Sequence, residues 1–137
     1  MGIQSQSLAV DVGPSSREGW LLDAVVRDIE LLHLVIERLA QLQFAHEPFY
    51  RLASGILAIM AEDDLYPDMR AQLSARGLMP IAIEAMTASV PLIPAVVPTA
   101  ASWLRMADVQ MRTTGRALAI EASARAIEGE MVDELFG

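Results

Sequence analysis

The sequence predicts an all-α helical bundle in one domain, with about four principal helices and one short helix. Apolar residues recur at alternating steps of three and four, and no window alternates as a surface strand does. The third observation is the composition. Apolar residues make up 53% of the 137 residues, which is more than is usual for a soluble domain that acts alone. This length holds one hydrophobic core, so we expect a single bundle over residues 15–137. Residues 1–14, which end at Gly13-Pro14, are predicted to form a flexible tail.

The first helix is predicted over residues 16–43. Ser15 and Glu18 stand at the spacing of a capping box, in which two side chains satisfy unpaired N–H groups at the helix start. An apolar seam follows, with charged residues on the opposite side of the helix. Its members are Leu22, Val25, Ile29, Leu32, Ile36 and Leu39. The apolar arc is wide, so we expect this helix to contact more than one neighbour.

Proline and glycine delimit the middle helices. A second helix is predicted from Glu47-Pro48 to about Ala61, because proline is tolerated in the first turn of a helix. A short helix follows Pro67 and ends at Gly77, which suits a left-handed cap. The next segment runs over residues 81–90. Its apolar side carries Ile83, Met86 and Val90, and methionine there is expected to fill gaps in the core.

Three prolines separate this segment from the last helix. No α-helix runs through Pro91, Pro94 and Pro98, because each proline removes a donor and clashes with the preceding turn. We therefore expect an extended apolar connection. The last helix is predicted over residues 99–134, with Gly115 as the place of a bend or break.

Composition argues against several classes of function. The net charge of −8 disfavours nucleic-acid binding, which needs a basic face for phosphate. The absence of lysine and cysteine excludes a Schiff-base amine, a thiol nucleophile and a zinc–thiolate site. The first residues lack the basic and apolar regions of a targeting signal, so a cytoplasmic location is the default expectation.

An uncharged stretch over residues 85–104 is about as long as a membrane-spanning helix. Its three prolines would leave backbone groups unpaired in lipid, at a cost of several kcal/mol each. A bend between two bundle helices is therefore favoured over a membrane span.

One pattern suggests a metal site. On a helix, Glu30 and His33 lie one above the other, as ligands do in carboxylate-bridged di-metal bundles. Glu37 follows on the same flank and His46 lies where the chain doubles back, so iron, manganese or zinc would suit this corner. The second Glu-x-x-His of a di-metal bundle is missing, because the chain has only two histidines. We therefore predict no cofactor and no catalytic residue, and keep a metal-dependent enzyme as an alternative.

The leading hypothesis is a non-enzymatic interaction protein that acts as a homo-oligomer, in an adaptor, scaffold or regulatory role. The reason is the apolar surplus, since obligate dimer interfaces resemble a core cut in half. The predicted interface is the seam, an alanine-rich part of the last helix, or both: Leu22, Val25, Ile29, Leu32, Ile36, Leu39, Ala117, Ile120 and Ala124. The predicted partner is a second copy of the chain. The alternative is a binder of a small apolar ligand or apolar surface at the proline-rich bend, or of another protein.

Overall fold

A computed structural model of the chain describes residues 14–62, 66–93 and 96–114. Within these ranges the regular structure is helical and no strand occurs, so the predicted all-α bundle is confirmed. In chain order the helices are α1 (Pro14–Arg27), α2 (Ile29–Gln41), α3 (Glu47–Met60), α4 (Met69–Ala75), α5 (Met79–Ser89) and α6, which is described over residues 100–114. None of the helices in the described ranges has the length and apolar character needed to cross a membrane.

The predicted first helix is in fact two helices, so the prediction of one helix over residues 16–43 is wrong. Asp28 separates α1 from α2, with extended backbone at φ −134° and ψ 98°. Its carboxylate accepts hydrogen bonds from the N–H groups of Glu30 and Leu31, both at 3.1 Å, and so caps the start of α2. The break lets both halves of the apolar seam pack into the same core.

The ends of the middle helices follow the predicted signals. α3 carries Pro48 in its first turn and ends within one residue of Ala61, as expected. The predicted left-handed cap after α4 is confirmed, because Gly77 has a φ of +71°. The N–H of Leu78 then donates to the carbonyl of Leu73 at 2.8 Å, which closes the helix end.

The chain after α5 turns over residues 90–93, where an extended connection was predicted. The N–H of Leu92 donates to the carbonyl of Ser89 at 2.9 Å and continues the helical direction for one more turn. Leu92 is buried in the core, whereas Ile93 is half exposed. The bundle therefore covers one part of the apolar connection and leaves another part in contact with water.

The start of α6 is fixed by a reciprocal cap and a buried indole. The Ser102 hydroxyl accepts from the N–H of Thr99 at 2.8 Å, and the Thr99 hydroxyl accepts from the N–H of Ser102 at 3.1 Å. Trp103 is fully buried and donates from Nε1 to the carbonyl of Leu21 at 2.8 Å. The predicted bend at Gly115 and the predicted helix that follows it lie outside the described residues.

A close helix contact joins α1 to α5. A Cβ atom at Gly19 would lie 2.6 Å from the carbonyl oxygen of Ala85 and 2.9 Å from the Cβ of Ala88. Only glycine permits this approach of α1 to the backbone of α5. The core continues from this contact through the fully buried side chains of Leu21, Leu22, Leu32, Leu39, Phe49, Leu52, Ile56, Ile59, Leu73 and Trp103.

Candidate interaction surface

The structure does not bring the four predicted metal ligands together. Glu30 and Glu37 are exposed on α2, while the half-buried His33 ring meets the Tyr66 ring edge-on, with centroids 5.4 Å apart. Among the described residues, no group of three or more His, Cys, Asp or Glu side chains is arranged to hold a metal ion. The predicted metal corner therefore gains no support from the geometry.

His46, the fourth predicted ligand, links the start of α3 to α5. Its Nε2 lies 2.7 Å from the carboxylate of Glu84, and its ring packs edge-on against Phe49 with centroids 4.6 Å apart. Both members of the His46–Glu84 pair are partly exposed, and a pair of this kind contributes about 0–1 kcal/mol. The contact gives the Glu84 carboxylate of α5 a hydrogen-bond partner at the start of α3.

A buried polar cluster that the sequence pattern did not reveal ties α1 to α6. Glu18 is fully buried, and its carboxylate accepts from the N–H groups of Ala45 at 2.9 Å and His46 at 3.1 Å. Gln110 on α6 donates to the same carboxylate at 2.7 Å. Glu18 therefore does not complete the predicted capping box with Ser15. It satisfies backbone donors just before α3 instead.

Gln110 extends this buried cluster to further groups. Its Oε1 accepts from Nε of Arg17 at 2.7 Å, and its Nε2 donates to the carbonyl of Gln43 at 2.8 Å. Burial lowers the pKa of the Arg17 guanidinium, and the negative charge of Glu18 opposes that shift. No buried side-chain nitrogen or oxygen in the described part of the chain lacks a hydrogen-bond partner. We interpret the cluster as structural, since its hydrogen bonds join α1, the segment before α3 and α6.

The predicted oligomer seam is covered by the chain's own helices. Four of its members are buried in a single chain, namely Leu22, Val25, Leu32 and Leu39. Ile29 and Ile36 are half-buried against the same core. The seam is therefore not the surface that a single chain leaves exposed. Three further predicted interface residues, Ala117, Ile120 and Ala124, lie outside the described residues.

An exposed apolar row lies on α5 and its C-cap residue, Val90, instead. Ile83, Met86 and Val90 recur at steps of three and four, with 52%, 37% and 57% of each residue exposed. The opposite side of α5 is also apolar, and it buries Ile81 and Ala85 against the core. The expectation that Met86 fills a gap in the core is therefore wrong. We refer to Ile83, Met86 and Val90 as the α5 stripe.

A groove runs beside the α5 stripe, between α1, α4 and α5, with a volume of about 350 Å³. Its apolar lining consists of Val26, Met79, Ala82, Ile83 and Met86. Its charged lining consists of Asp23, Arg27 and Arg70. We refer to this cavity as the α1–α5 groove. A smaller cavity of about 190 Å³ shares Asp23 and Arg27 with it and reaches Trp20 and Pro98.

No protein-family model matches the chain, and neither a curated protein nor a solved structure matches it. The surfaces of the chain are therefore the basis for a functional proposal. Two of them stand out in the described residues: the α5 stripe, which is apolar and uncovered, and the α1–α5 groove, which combines an apolar floor with arginine side chains.

Proposed function

We propose that the protein is a non-enzymatic interaction protein that self-associates through the α5 stripe. The observation that supports this function is that α5 is apolar on two sides, while the described part of the chain covers one side and leaves the other exposed. Apolar surface in water costs about 25 cal/mol per Å², and monomers seldom leave a contiguous patch of it exposed. A second protein surface that covers the stripe would remove this cost.

The spacing of the stripe favours a second copy of the chain as the partner. In a two-fold interface both copies use the same patch, so the patch must be complementary to itself. Met86 lies about midway between Ile83 and Val90. Two antiparallel copies of α5 would therefore place Ile83 of each copy opposite Val90 of the other, with both Met86 side chains at the centre. Methionine adapts its shape to such a contact.

Charge supports the same surface. The chain has a net charge of −8, so two copies repel each other over much of their surfaces. α5 contributes one formal charge, Glu84, and the His46 ring lies 2.7 Å from that carboxylate. Contact through the stripe would therefore bury mainly apolar side chains, and the Glu84 carboxylate already has a hydrogen-bond partner within its own chain. An adaptor, scaffold or regulatory role and a cytoplasmic location stay predictions.

Sedimentation velocity of the full chain at micromolar concentration tests self-association. We expect the wild type to sediment as a dimer or larger species and Val90→Glu to sediment as a monomer, because a charge would be buried at the interface. Leu34→Glu is the matched control. It also replaces an exposed apolar residue, 72% exposed, but on α2, and it should keep the wild-type mass.

Circular dichroism should give the wild-type helix content for both variants, since both residues are exposed in the single chain. A wild type that is monomeric at every soluble concentration would overturn the proposal. Dissociation of Leu34→Glu together with an intact Val90→Glu assembly would also overturn it, because the interface would then lie on α2.

A further inference from the structure

The α1–α5 groove carries a charge pattern that self-association does not use. Among the described residues, two arginines, Arg27 and Arg70, line the groove together with one carboxylate, that of Asp23. Asp23 and Arg27 pair at 2.9 Å, so the pair is neutral and Arg70 supplies a surplus of one positive charge. This local surplus is opposite in sign to the net charge of the chain, −8. It favours an anionic group at the edge of the groove.

The rest of the groove lining is apolar. Val26, Ala82 and Ile83 contribute aliphatic surface, and the two methionines contribute side chains that adapt to a flexible ligand. None of the described residues that line the groove carries a hydroxyl or carboxamide side chain. A sugar, nucleoside or peptide would leave several of its polar groups without partners there, which costs affinity. The volume of about 350 Å³ lies at the lower end of the range typical of small-molecule sites.

We propose that the α1–α5 groove binds a medium-chain monocarboxylate, that is, a straight-chain fatty acid. The alkyl chain lies along the apolar floor, and the carboxylate accepts hydrogen bonds from the Arg70 guanidinium, whose planar geometry suits a carboxylate. A single negative charge matches the surplus of one positive charge in the lining. This ligand site goes beyond the proposed self-association. It shares Ile83 and Met86 with the α5 stripe, so the test uses residues that belong to only one of the two surfaces.

Calorimetric titration of the full chain with decanoate is the first measurement. We expect saturable binding of one decanoate per chain and much weaker binding of decanol, which has the same chain and no charge. Shortening the acid should weaken binding by about fourfold for each methylene removed, as expected for burial of an alkyl chain.

Variants then locate the site. Arg70→Gln should raise the Kd for decanoate about tenfold, because a charge-assisted hydrogen bond is lost. Arg51→Gln is the matched control, since Arg51 is an exposed arginine on α3 that does not line the groove, and its Kd should equal the wild-type value. With methyl-labelled methionine, the resonance of Met79, which lines the groove and is not part of the α5 stripe, should shift on binding, while that of Met60 should not.

Absence of saturable binding would overturn this inference, and so would equal affinity for decanol and decanoate. An equal loss of affinity in Arg51→Gln and Arg70→Gln would overturn the assignment to the groove. Self-association is measured without ligand on Val90→Glu, and Val90 does not line the groove. Either proposal can therefore fail while the other stands.

Discussion

α1 and α5 carry apolar residues at the same helical spacing, yet the row on α1 is buried and the row on α5 is exposed. Leu22 and Val25 of α1 are completely buried, whereas Ile83 and Val90 of the α5 stripe are each more than half exposed. The two helices pack against each other, so the difference in burial does not arise because they lie in separate parts of the molecule. Helical spacing predicts that an apolar face exists. It does not predict which surface covers that face.

The apolar residues of α1 are buried by helices that are distant from α1 in the sequence. Trp103 of α6 buries its indole and donates to the carbonyl of Leu21, and Gln110 of the same helix bonds to Glu18. α5 uses its buried side to contact α1, and the described helices leave its other side exposed. A stripe covered within the chain stabilises the fold, and an uncovered stripe is available for association. Four substitutions test this distinction.

Leu22→Glu should have the largest effect. It places an unpaired charge in the covered row of α1, so we expect a loss of more than about 4 kcal/mol in the free energy of unfolding. Urea denaturation followed by circular dichroism measures this loss. Leu34→Glu, at an exposed leucine of α2, should change the free energy by less than about 0.5 kcal/mol. Similar midpoints for the two variants would contradict the claim that the α1 row is core.

Gly19→Ala should come next, because it tests the contact that joins the two compared helices. The added methyl group would lie 2.6 Å from the carbonyl oxygen of Ala85, so the backbones of α1 and α5 must separate. We expect a loss of about 3 kcal/mol in thermal or urea unfolding, at the upper end for overpacking.

Gly55→Ala is the comparison for Gly19→Ala. The atom that its new methyl group meets is the terminal Cδ1 of Leu78, which can rotate away. Alanine also favours the helix by about 1 kcal/mol, so we expect a net change near zero. If Gly19→Ala and Gly55→Ala lost the same free energy of unfolding, the close approach of α1 to α5 would not be what makes Gly19→Ala destabilising.

Glu18→Gln should cost about 2 kcal/mol, since hydrogen bonds to a buried charge are lost. Both carboxylate oxygens accept hydrogen bonds, one from His46 and the other from Ala45 and Gln110. Either orientation of a glutamine amide would turn its NH₂ group toward a donor. Glu37→Gln, at an exposed position of α2, should be neutral in the same urea experiment. If Glu18→Gln left the free energy of unfolding unchanged, the hydrogen bonds of the buried cluster would not stabilise the packing of α1.

Asp28→Ala should have the smallest effect, about 1 kcal/mol, which is typical for loss of a helix N-cap. Asp28→Asn should keep most of the stability, because its carbonyl oxygen can still accept from the N–H groups of Glu30 and Leu31. Asp108→Ala is the control, since Asp108 is exposed and its pair with Arg38, at 3.4 Å, is weak. If all three variants unfolded at one urea concentration, the capping role of Asp28 would be refuted.

Much of the fold follows from the sequence because helix ends depend on local interactions. Pro48 and Gly77 act within one turn of themselves, and both positions agree with the observed ends of α3 and α4. The spacing of Ile83, Met86 and Val90 likewise places them on one side of α5. The break at Asp28 is local too, but the apolar spacing continues through it, and this continuity concealed the start of α2.

The buried cluster around Glu18 and the α1–α5 groove depend on contacts that no local pattern contains. Glu18 satisfies N–H groups 27 and 28 residues away and Gln110 lies 92 residues away, so its role could not be derived from its spacing to Ser15. Arg70 lines the α1–α5 groove together with Arg27 only because α4 and α1 both lie beside α5 in the folded chain. The sequence by itself determined where helices form, through capping and periodicity. Only the tertiary structure decided which apolar rows are covered, because burial depends on elements that meet after folding.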